Sequence, residues 1–438
     1  MQLTQKKTNK KVNVKLALTA ATSALLGLSS VAQGNETSEL DSWSFDTAVL
    51  YYGEIDRVTA TEAMIGATKT FDDDSILNLK LTFDALTGAS PNGAVAQPTT
   101  QTFTRPSGNG EYQTPANETP IYDGFRDTRV QLNAQWTQPI ASVYTVSGGV
   151  HLSKEYDYLS LGLNGSVAYD FDRKNSTIAF GASYFQDTYN PVGGIPNPFS
   201  VMISGSGDED VDDPTRLGKD DTKTTADIMI GFTQVINRRM VAQLNYSYSM
   251  VDGYLNDPYK RLSRVNANGE ALDYVYESRP DSREKQSIFA QTKYNFAADW
   301  LNDTVLDVSY RYMWDDWQID SHTVDSRFYI PIGTSSYLEP HFRVYQQTAA
   351  DFYRPFLYQS DDELPAYASA DLRIGEMTTY TVGLKYGTLV NGDDELSFRL
   401  ELYTQKPTNA GFNEPGVLAS QDLYESVNAI IGQVTYSF

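Results

Sequence analysis

Three histidines are the residues of this chain best suited to acid–base chemistry, because its 438 residues include no cysteine. Hydrolases pair a histidine with a serine nucleophile and an orienting carboxylate. His151 and His341 fall on the polar faces of predicted strands, and His322 follows Ser321, but no spacing sets apart a nucleophile, a base and an orienting group. We therefore expect hydrogen-bonded wall histidines and no enzyme, with a hydrolase as the remaining alternative.

Acidic residues are densest between Gly207 and Asp213. Calcium and other hard cations take carboxylate oxygens, so Asp208, Asp210 and Asp212 are weak candidates for metal ligands. Their spacing is not that of an EF-hand loop, and runs of like charge are usually solvated. We favour a solvated loop, and we expect no cofactor.

The charge of the chain is strongly negative, at −22. Residues 1–32 carry five lysines and no acid, so their removal would leave −27 on residues 33–438. Nucleic acid is therefore not an expected partner, since phosphate contacts need a basic face. The five lysines precede a short apolar stretch and the small residues Ser30, Val31 and Ala32, which predicts a cleaved signal peptide. The stretch is too short for a membrane anchor.

Apolar side chains recur at every second position in segments of about ten residues from Trp43 to Phe438. This period is typical of strands with one face in lipid and the other in water, although a soluble β-sandwich also alternates. It predicts an all-β transmembrane antiparallel barrel of about sixteen strands without a plug domain. The strands begin near residues 43, 57, 75, 127, 142, 156, 176, 222, 239, 285, 304, 318, 336, 376, 394 and 424.

The connections between these strands alternate in length. Short turns follow the even strands, and the long connections, at 88–126, 187–221, 252–284, 350–375 and 404–423, all follow odd strands. Short periplasmic turns and long external loops are the known asymmetry of outer-membrane barrels. We therefore expect an exported protein of the bacterial outer membrane, in contact with its lipids.

The final strand ends in an aromatic residue. Ile430, Gly432, Val434, Tyr436 and the terminal Phe438 share one face. This segment resembles the signal read by the outer-membrane assembly machinery, which is an expected partner.

The polar faces of the strands carry charge unevenly. Strands 4 to 9 are mostly neutral there, whereas strands 10 to 15 contribute six basic and four acidic residues: Lys293, Asp307, Arg311, Asp325, Arg327, Glu339, Arg343, Lys385, Arg399 and Glu401. Two interpretations stay open, a lateral field that sorts solutes by charge or a salt-bridge ladder that stiffens the wall.

A second group of charges is predicted at the outer ends of the strands, where they would ring the mouth: Glu155, Asp157, Asp257, Arg279, Asp281, Arg283 and Asp316. They suit either loop packing by Arg–Asp pairs, with Asp257 and Pro258 starting a turn, or a docking rim for a ligand.

Several motifs resemble an uncharacterised family of outer-membrane β-barrel proteins, domain of unknown function 3570. They are FDALTGASPNG at 83–93, FRDTR at 125–129, SKEYDY at 153–158, GYLNDPYK at 253–260, RPDSR at 279–283 and SHTV at 321–324. Members of this family are often encoded beside a small lipoprotein and a periplasmic flavin transferase. The resemblance therefore implies, by association, a lipidated or flavin-bearing envelope partner, and it defines no catalytic residue.

Three functions follow as hypotheses. The first is a pore or transport channel for small solutes. The second is a scaffold or sheath for a flavin-linked redox complex of the envelope, and the third is an outer-membrane hydrolase. Neutralising Arg311, Arg327 and Arg343 would change ion selectivity in a pore and abolish partner binding in a sheath.

Overall fold

The computed structural model describes residues 43–55, 57–106, 110–202, 215–296, 303–359 and 364–438. The predicted signal peptide lies outside the described residues, and so does the predicted acidic loop with Asp208, Asp210 and Asp212. Both stay predictions from the sequence.

Sixteen long strands pair with their neighbours in chain order, and the first pairs with the last, which closes one antiparallel barrel. We number them β1 to β16: Trp43–Glu54, Thr59–Thr70, Ile76–Thr87, Arg126–Ile140, Tyr144–Lys154, Tyr158–Phe171, Ser176–Tyr189, Asp221–Asn237, Met240–Gly253, Ser282–Asn295, Val305–Asp315, Asp320–Ile332, Ser336–Gln347, Met377–Val390, Asp394–Pro407 and Val427–Ser437. Each predicted strand start lies within three residues of the observed start. The predicted all-β antiparallel barrel and its strand count are confirmed, and the absence of a plug domain stays a prediction.

The two faces of each strand differ as the alternating pattern requires. On β15 the side chains of Phe398, Leu400 and Leu402 point outward and stay exposed, whereas Ser397 and Glu401 point inward and are buried. A closed barrel bonds every strand on both edges, so it leaves no unpaired backbone towards lipid. An apolar exterior around a polar interior is the architecture of outer-membrane barrels.

Every connection of more than ten residues follows an odd strand, whereas three connections on that same side, 55–58, 155–157 and 316–319, have only three or four residues. The turns after even strands are short, at 71–75, 141–143, 172–175, 238–239, 296–304, 333–335 and 391–393. The connections after odd strands form the outer side, and we number them L1 to L8: 55–58, 88–125, 155–157, 190–220, 254–281, 316–319, 348–376 and 408–426.

Aromatic side chains surround the strand ends at the turn side of the seam between β1 and β16. The ring of Phe438 stacks on Phe45 at 5.5 Å and on Tyr436 at 5.2 Å, and Phe45 stacks on Trp43. The backbones of Phe45 and Phe438 exchange two hydrogen bonds, of 2.8 and 2.9 Å. Ile430, Val434 and Phe438 are exposed on the outer face, and the role of this segment in assembly stays a prediction.

The long outer loops pack on each other instead of standing apart. L2 leaves the barrel between β3 and β4, and L5 leaves it between β9 and β10, six strands farther round a ring of sixteen. The backbone of Arg261 in L5 nevertheless donates to the carbonyl of Asn92 in L2 at 2.7 Å, and Val95 donates to the Ser263 hydroxyl at 3.1 Å. Loops rooted so far apart can meet only if they extend across the mouth.

L4, L7 and L8 join the same body, which we call the cap. It holds fully buried apolar side chains of its own, among them Leu262, Val265 and Leu418. Its short strands are Gln101–Thr104, Glu111–Thr114, Ile195–Pro196, Arg216–Gly218, Arg261–Val265, Ala271–Tyr276 and Leu357–Tyr358. The short 3-10 helices of the chain are Asp172–Lys174 in a turn, and Leu372–Ile374 and Gly416–Ser420 in the cap.

Among the residues that the structure describes, no helix has the length and apolar character that crossing a membrane requires.

Candidate functional site

Charged residues on the inner faces of β10 to β15 form ion pairs, some between neighbouring strands and some along one strand. Lys293 lies 3.2 Å from Asp307, and the guanidinium of Arg327 lies 3.5 Å from Asp325. On β15 the guanidinium of Arg399 lies 3.8 Å from Glu401. Lys385 reaches Glu395 at 3.6 Å and faces Glu339 in the strand register. The predicted ladder therefore exists as a set of ion pairs, and Glu395 is a member that the sequence analysis missed.

His341 connects two acids of this charged wall. Its Nε2 lies 2.9 Å from the Asp325 carboxylate on β12, and its Nδ1 lies 2.9 Å from Glu401 on β15. Both ring nitrogens must carry hydrogen if both contacts are hydrogen bonds to ionised carboxylates. A general base needs a free ring nitrogen beside its nucleophile, and here both nitrogens face carboxylates.

Gly383 makes this arrangement possible. It lies on β14 opposite both His341 on β13 and Glu401 on β15. A Cβ atom at this position would stand 2.6 Å from Cγ of Glu401. Because glycine leaves this space empty, the glutamate side chain crosses a whole strand to reach the imidazole.

Two arginines of the ladder remain without an acidic partner. Arg311 and Arg343 are exposed on the inner face, and within the described residues no carboxylate lies within 4.0 Å of either guanidinium. Arg311 stands over the ring of Phe289 at 5.6 Å. The two lie on β11 and β13, two residues apart in register across β12. They form a positive patch on the inner wall.

The other side of the barrel carries charge too, where mostly neutral groups were expected. Arg129 on β4 pairs with Asp84 on β3, and Lys223 on β8 lies 3.0 Å from Asp187 on β7. These groups sit near the outer strand ends, and Asp84 and Arg129 belong to the FDALTGASPNG and FRDTR motifs. Deeper in the wall the neutral pattern holds, since Oδ1 of Asn133 accepts a hydrogen bond of 2.7 Å from Nδ1 of His151.

His151 and His322 do not contact a serine. The imidazole of His151 also meets the edge of Phe185, with ring centroids 5.5 Å apart. On the outer face His322 bonds the Tyr310 hydroxyl at 2.7 Å and stacks on Tyr312 at 5.0 Å. Neither contact assembles a nucleophile with a base. That the protein is not an enzyme stays a prediction.

The predicted rim residues Asp257 and Arg279 lie inside the cap. The Arg279 guanidinium lies 2.7 Å from Glu277 and 2.9 Å from Asp371 in L7, and both acids are almost completely buried. Asp371 also pairs at 2.6 Å with Arg373, which reaches Asp257 at 2.6 Å. This buried ion cluster joins L5 to L7. Asp257 also begins the predicted turn, since its carboxylate accepts from the Tyr259 backbone at 3.0 Å.

The two buried acids of the cluster respond differently to their surroundings. Burial alone would raise the pKa of Asp371, but the positive charges of Lys260, Arg373 and Arg279 hold it well below its usual range. For Glu277 burial dominates and raises the pKa, although Arg279 is adjacent. Asp371 is therefore the acid whose charge the cluster stabilises most firmly.

The remaining rim residues lie at the outer strand ends. Arg283 pairs with Asp315, the Asp316 carboxylate accepts from the Glu284 backbone at 2.9 Å, and the Asp281 carbonyl accepts from Gly253 at 2.8 Å. These contacts bind loops to strand ends.

Glu155 and Asp157 of the rim meet Asp127 in a cluster of three carboxylates. Their nearest oxygens all lie within 4.8 Å of one another, and the Tyr259 hydroxyl donates to Asp157. Burial, followed by the charge of Asp127, raises the pKa of Glu155 to about 7. These oxygens have the chemistry of a hard-cation site, where a cation would offset the repulsion between the three carboxylates. Protonation of Glu155 relieves that repulsion as well.

Comparison with known proteins identifies a family. The family model described as "Protein of unknown function (DUF3570)" matches residues 15–438. No curated protein matches the chain by sequence. One similar solved structure is CdiB from Acinetobacter baumannii, with 10% sequence identity and a TM-score of 0.44 over 92% of this chain and 61% of that chain. A bacterial polysaccharide outer membrane secretin has 10% identity and a TM-score of 0.44 over 92% of this chain and 100% of that chain. Pseudomonas putida OprB has 11% identity and a TM-score of 0.41 over 91% of this chain and 94% of that chain. The chain thus spans 61% of the length of CdiB. From its family match, the chain belongs to the DUF3570 family.

Proposed function

We propose that this protein is an outer-membrane channel for small solutes, with a water-filled lumen whose charged wall favours one sign of charge. The observation that carries the proposal is the exposure of inward-facing charges. Lys293 keeps 56% of its side-chain surface, Arg327 40% and Arg129 39%, although each points into the barrel. Charged groups keep such exposure only where water reaches them, because dry burial of an ion is costly.

The patch of Arg311 and Arg343 supplies the selectivity in this proposal. Asp325 faces Arg343 in the strand register, but Arg327 and His341 share that carboxylate, so the two arginines leave an excess of positive charge on this wall. Such an excess sets the local potential of a pore wall, and the low dielectric of the surrounding barrel strengthens its field. The pairs Lys293–Asp307 and Arg399–Glu401 largely cancel their own fields at a distance. The positive potential of this patch would therefore favour the passage of anionic solutes over cationic ones.

The test is the reversal potential of the reconstituted protein in a planar bilayer under a salt gradient. Arg311→Gln and Arg343→Gln should each shift it towards cation preference, and the double variant should shift it further. Lys406→Gln is the matched control, because it removes one positive charge outside the lumen. Lys406 stands on the outer face, with its Nζ 5.9 Å from the ring centre of Tyr380. Equal reversal potentials in the wild type, the two single variants and the double variant would refute the assigned filter.

The cap favours a second candidate, a sheath for a partner that enters from the periplasmic side. L2 and L5 extend across the outer mouth, whereas the opposite end carries only short turns. A lipidated or flavin-bearing envelope protein would fill the lumen in this case, and this chain would bind no cofactor itself. Mild solubilisation of native membranes should then recover the barrel with a stoichiometric partner. Recovery of the barrel alone, together with steady conduction, would exclude the sheath.

A further inference from the structure

A pocket of about 260 Å³ lies within the cap. Its lining comes only from L2, L5 and L7, so it is separate from the inner wall of the barrel. Aromatic side chains dominate that lining: Phe103, Tyr112, Tyr122, Phe125 and Tyr259. Ligand sites are typically concave, mostly apolar and equipped with a few polar groups that fix orientation.

The pocket is held in shape by a close approach of two loops. Gly93 has φ +96°, and a Cβ atom there would stand 2.5 Å from the carbonyl oxygen of Arg261. Glycine adopts this backbone conformation without strain. The Asn92 side chain donates to the Tyr112 hydroxyl at 2.9 Å, which orients one aromatic wall. The pocket is therefore preformed.

Arg261 is a buried cation without an acidic partner. It lines the pocket and is 6% exposed, and within the described residues no carboxylate lies within 4.0 Å of its guanidinium. One nitrogen donates to the carbonyls of Pro258 and Lys260 at 3.0 and 3.1 Å, and the group stacks on Tyr276 at 3.9 Å. Its Nε has no hydrogen-bond partner. A buried guanidinium without an acidic partner costs free energy, which an anion beside it would reduce.

A second cation stands beside it. Lys260 is 7% exposed, lines the same pocket and donates to the Pro91 carbonyl, again with no carboxylate within 4.0 Å among described residues. The one acid of the lining, Asp257, is neutralised at 2.6 Å by Arg373. The lining therefore carries three cations, Lys260, Arg261 and Arg373, against one acid, in a chain whose net charge is −22. The positive charge of Lys260 also acts on Asp371 behind the pocket.

We propose that this pocket binds a small organic anion that carries a flat ring. The ring lies between the aromatic walls, and the anionic group takes hydrogen bonds from Arg261 and Lys260. The volume falls below the range of about 300–1,000 Å³ typical of drug-sized ligands, so a ligand with one ring system fits. A guanidinium binds carboxylate and phosphate alike through paired donors. This site is independent of conduction through the barrel.

The experiment is calorimetric titration of the folded full-length protein with 1-naphthoate, which combines a carboxylate with a flat ring. The cation 1-naphthylmethylammonium is the matched probe of similar shape. Naphthoate should bind and the cation should not. Arg261→Gln and Lys260→Gln should each weaken naphthoate binding at least tenfold, whereas Lys219→Gln, an exposed charge in L4, should leave it unchanged.

Heat-dependent migration on gels verifies that each variant retains a folded barrel. If Arg261→Gln does not fold, the naphthoate affinity of Lys260→Gln tests the proposal alone. The proposal is overturned if folded wild-type protein does not bind naphthoate, or binds both probes equally. It is also overturned if binding survives the substitution of the two cations. Because the readout is binding, a silent barrel in conductance experiments would not affect the result.

Discussion

Replacing Arg279 by methionine should loosen the cap and leave the barrel intact. The substitution keeps an unbranched apolar side chain and removes the guanidinium between Glu277 and Asp371. Loss of one partner of a buried ion pair costs about 3–5 kcal/mol. Glu277 can take up a proton, since burial already raises its pKa, and Asp371 keeps Arg373. We therefore expect the lower end, about 3 kcal/mol.

The assay is hydrogen exchange of backbone amides in the reconstituted protein. A loss of about 3 kcal/mol corresponds to roughly 100-fold faster exchange, at about 1.4 kcal/mol for each factor of ten. The faster exchange should appear in the cap strands Arg261–Val265 and Ala271–Tyr276, while β4 to β8 exchange as before.

Arg105→Met is the matched control for this prediction. Arg105 is exposed in the cap and donates to the Glu111 carbonyl at 3.0 Å, so its loss should change exchange less than about fivefold. Unchanged exchange in the cap of Arg279→Met would refute the role of the ion cluster. Equal acceleration in the barrel strands would refute the separation of cap and barrel.

Three further changes test the wall, the rim and the closing strand. Gly383→Ala should push Glu401 away from His341 and lower the free energy of unfolding in urea by about 1–3 kcal/mol. Gly432→Ala is the control and should change that free energy little, because nothing lies within 4 Å of the added Cβ. Equal effects of the two substitutions would contradict the packing argument. Burial raises the pKa of Glu155 from 4.5 to about 7, so the folded state binds this proton more tightly than the unfolded state. The stability that this proton contributes is present below about pH 4.5 and is lost as the pH rises through about 7. Glu155→Gln should therefore flatten the dependence of the free energy of unfolding on pH between about pH 5 and 8. An unchanged dependence would refute the assignment. Phe438→Ala should lower the yield of assembled barrel in outer membranes, measured by heat-dependent migration, and a normal yield would contradict the assembly role of the terminal segment.

The barrel could be predicted from the sequence because its physics is local. A strand between lipid and water must alternate along its own length, so each strand carries its own signal. Leu396, Phe398, Leu400 and Leu402 identify β15 without reference to any partner. The same alternation placed His341 on the inner face.

The cap could not be predicted because its contacts are distant in sequence. Arg279 and Asp371 are 92 residues apart, and Asp257 and Arg373 are 116 apart. Nothing in the RPDSR motif indicates that its first arginine is buried between loops. Glu401 likewise reaches His341 only because Gly383 intervenes, which requires the register of three strands. Two of the residues expected at an open rim, Asp257 and Arg279, therefore lie in the interior of a folded cap.

Single-channel recording of the reconstituted protein tests the central claim of a water-filled conducting lumen most directly. Both wild type and Arg279→Met should be recorded, so that a closed cap cannot hide an open barrel. We predict steady current steps in at least the variant with the loosened cap, with a reversal potential that Arg311→Gln shifts towards cations. A folded barrel that carries no current in either form would contradict the account.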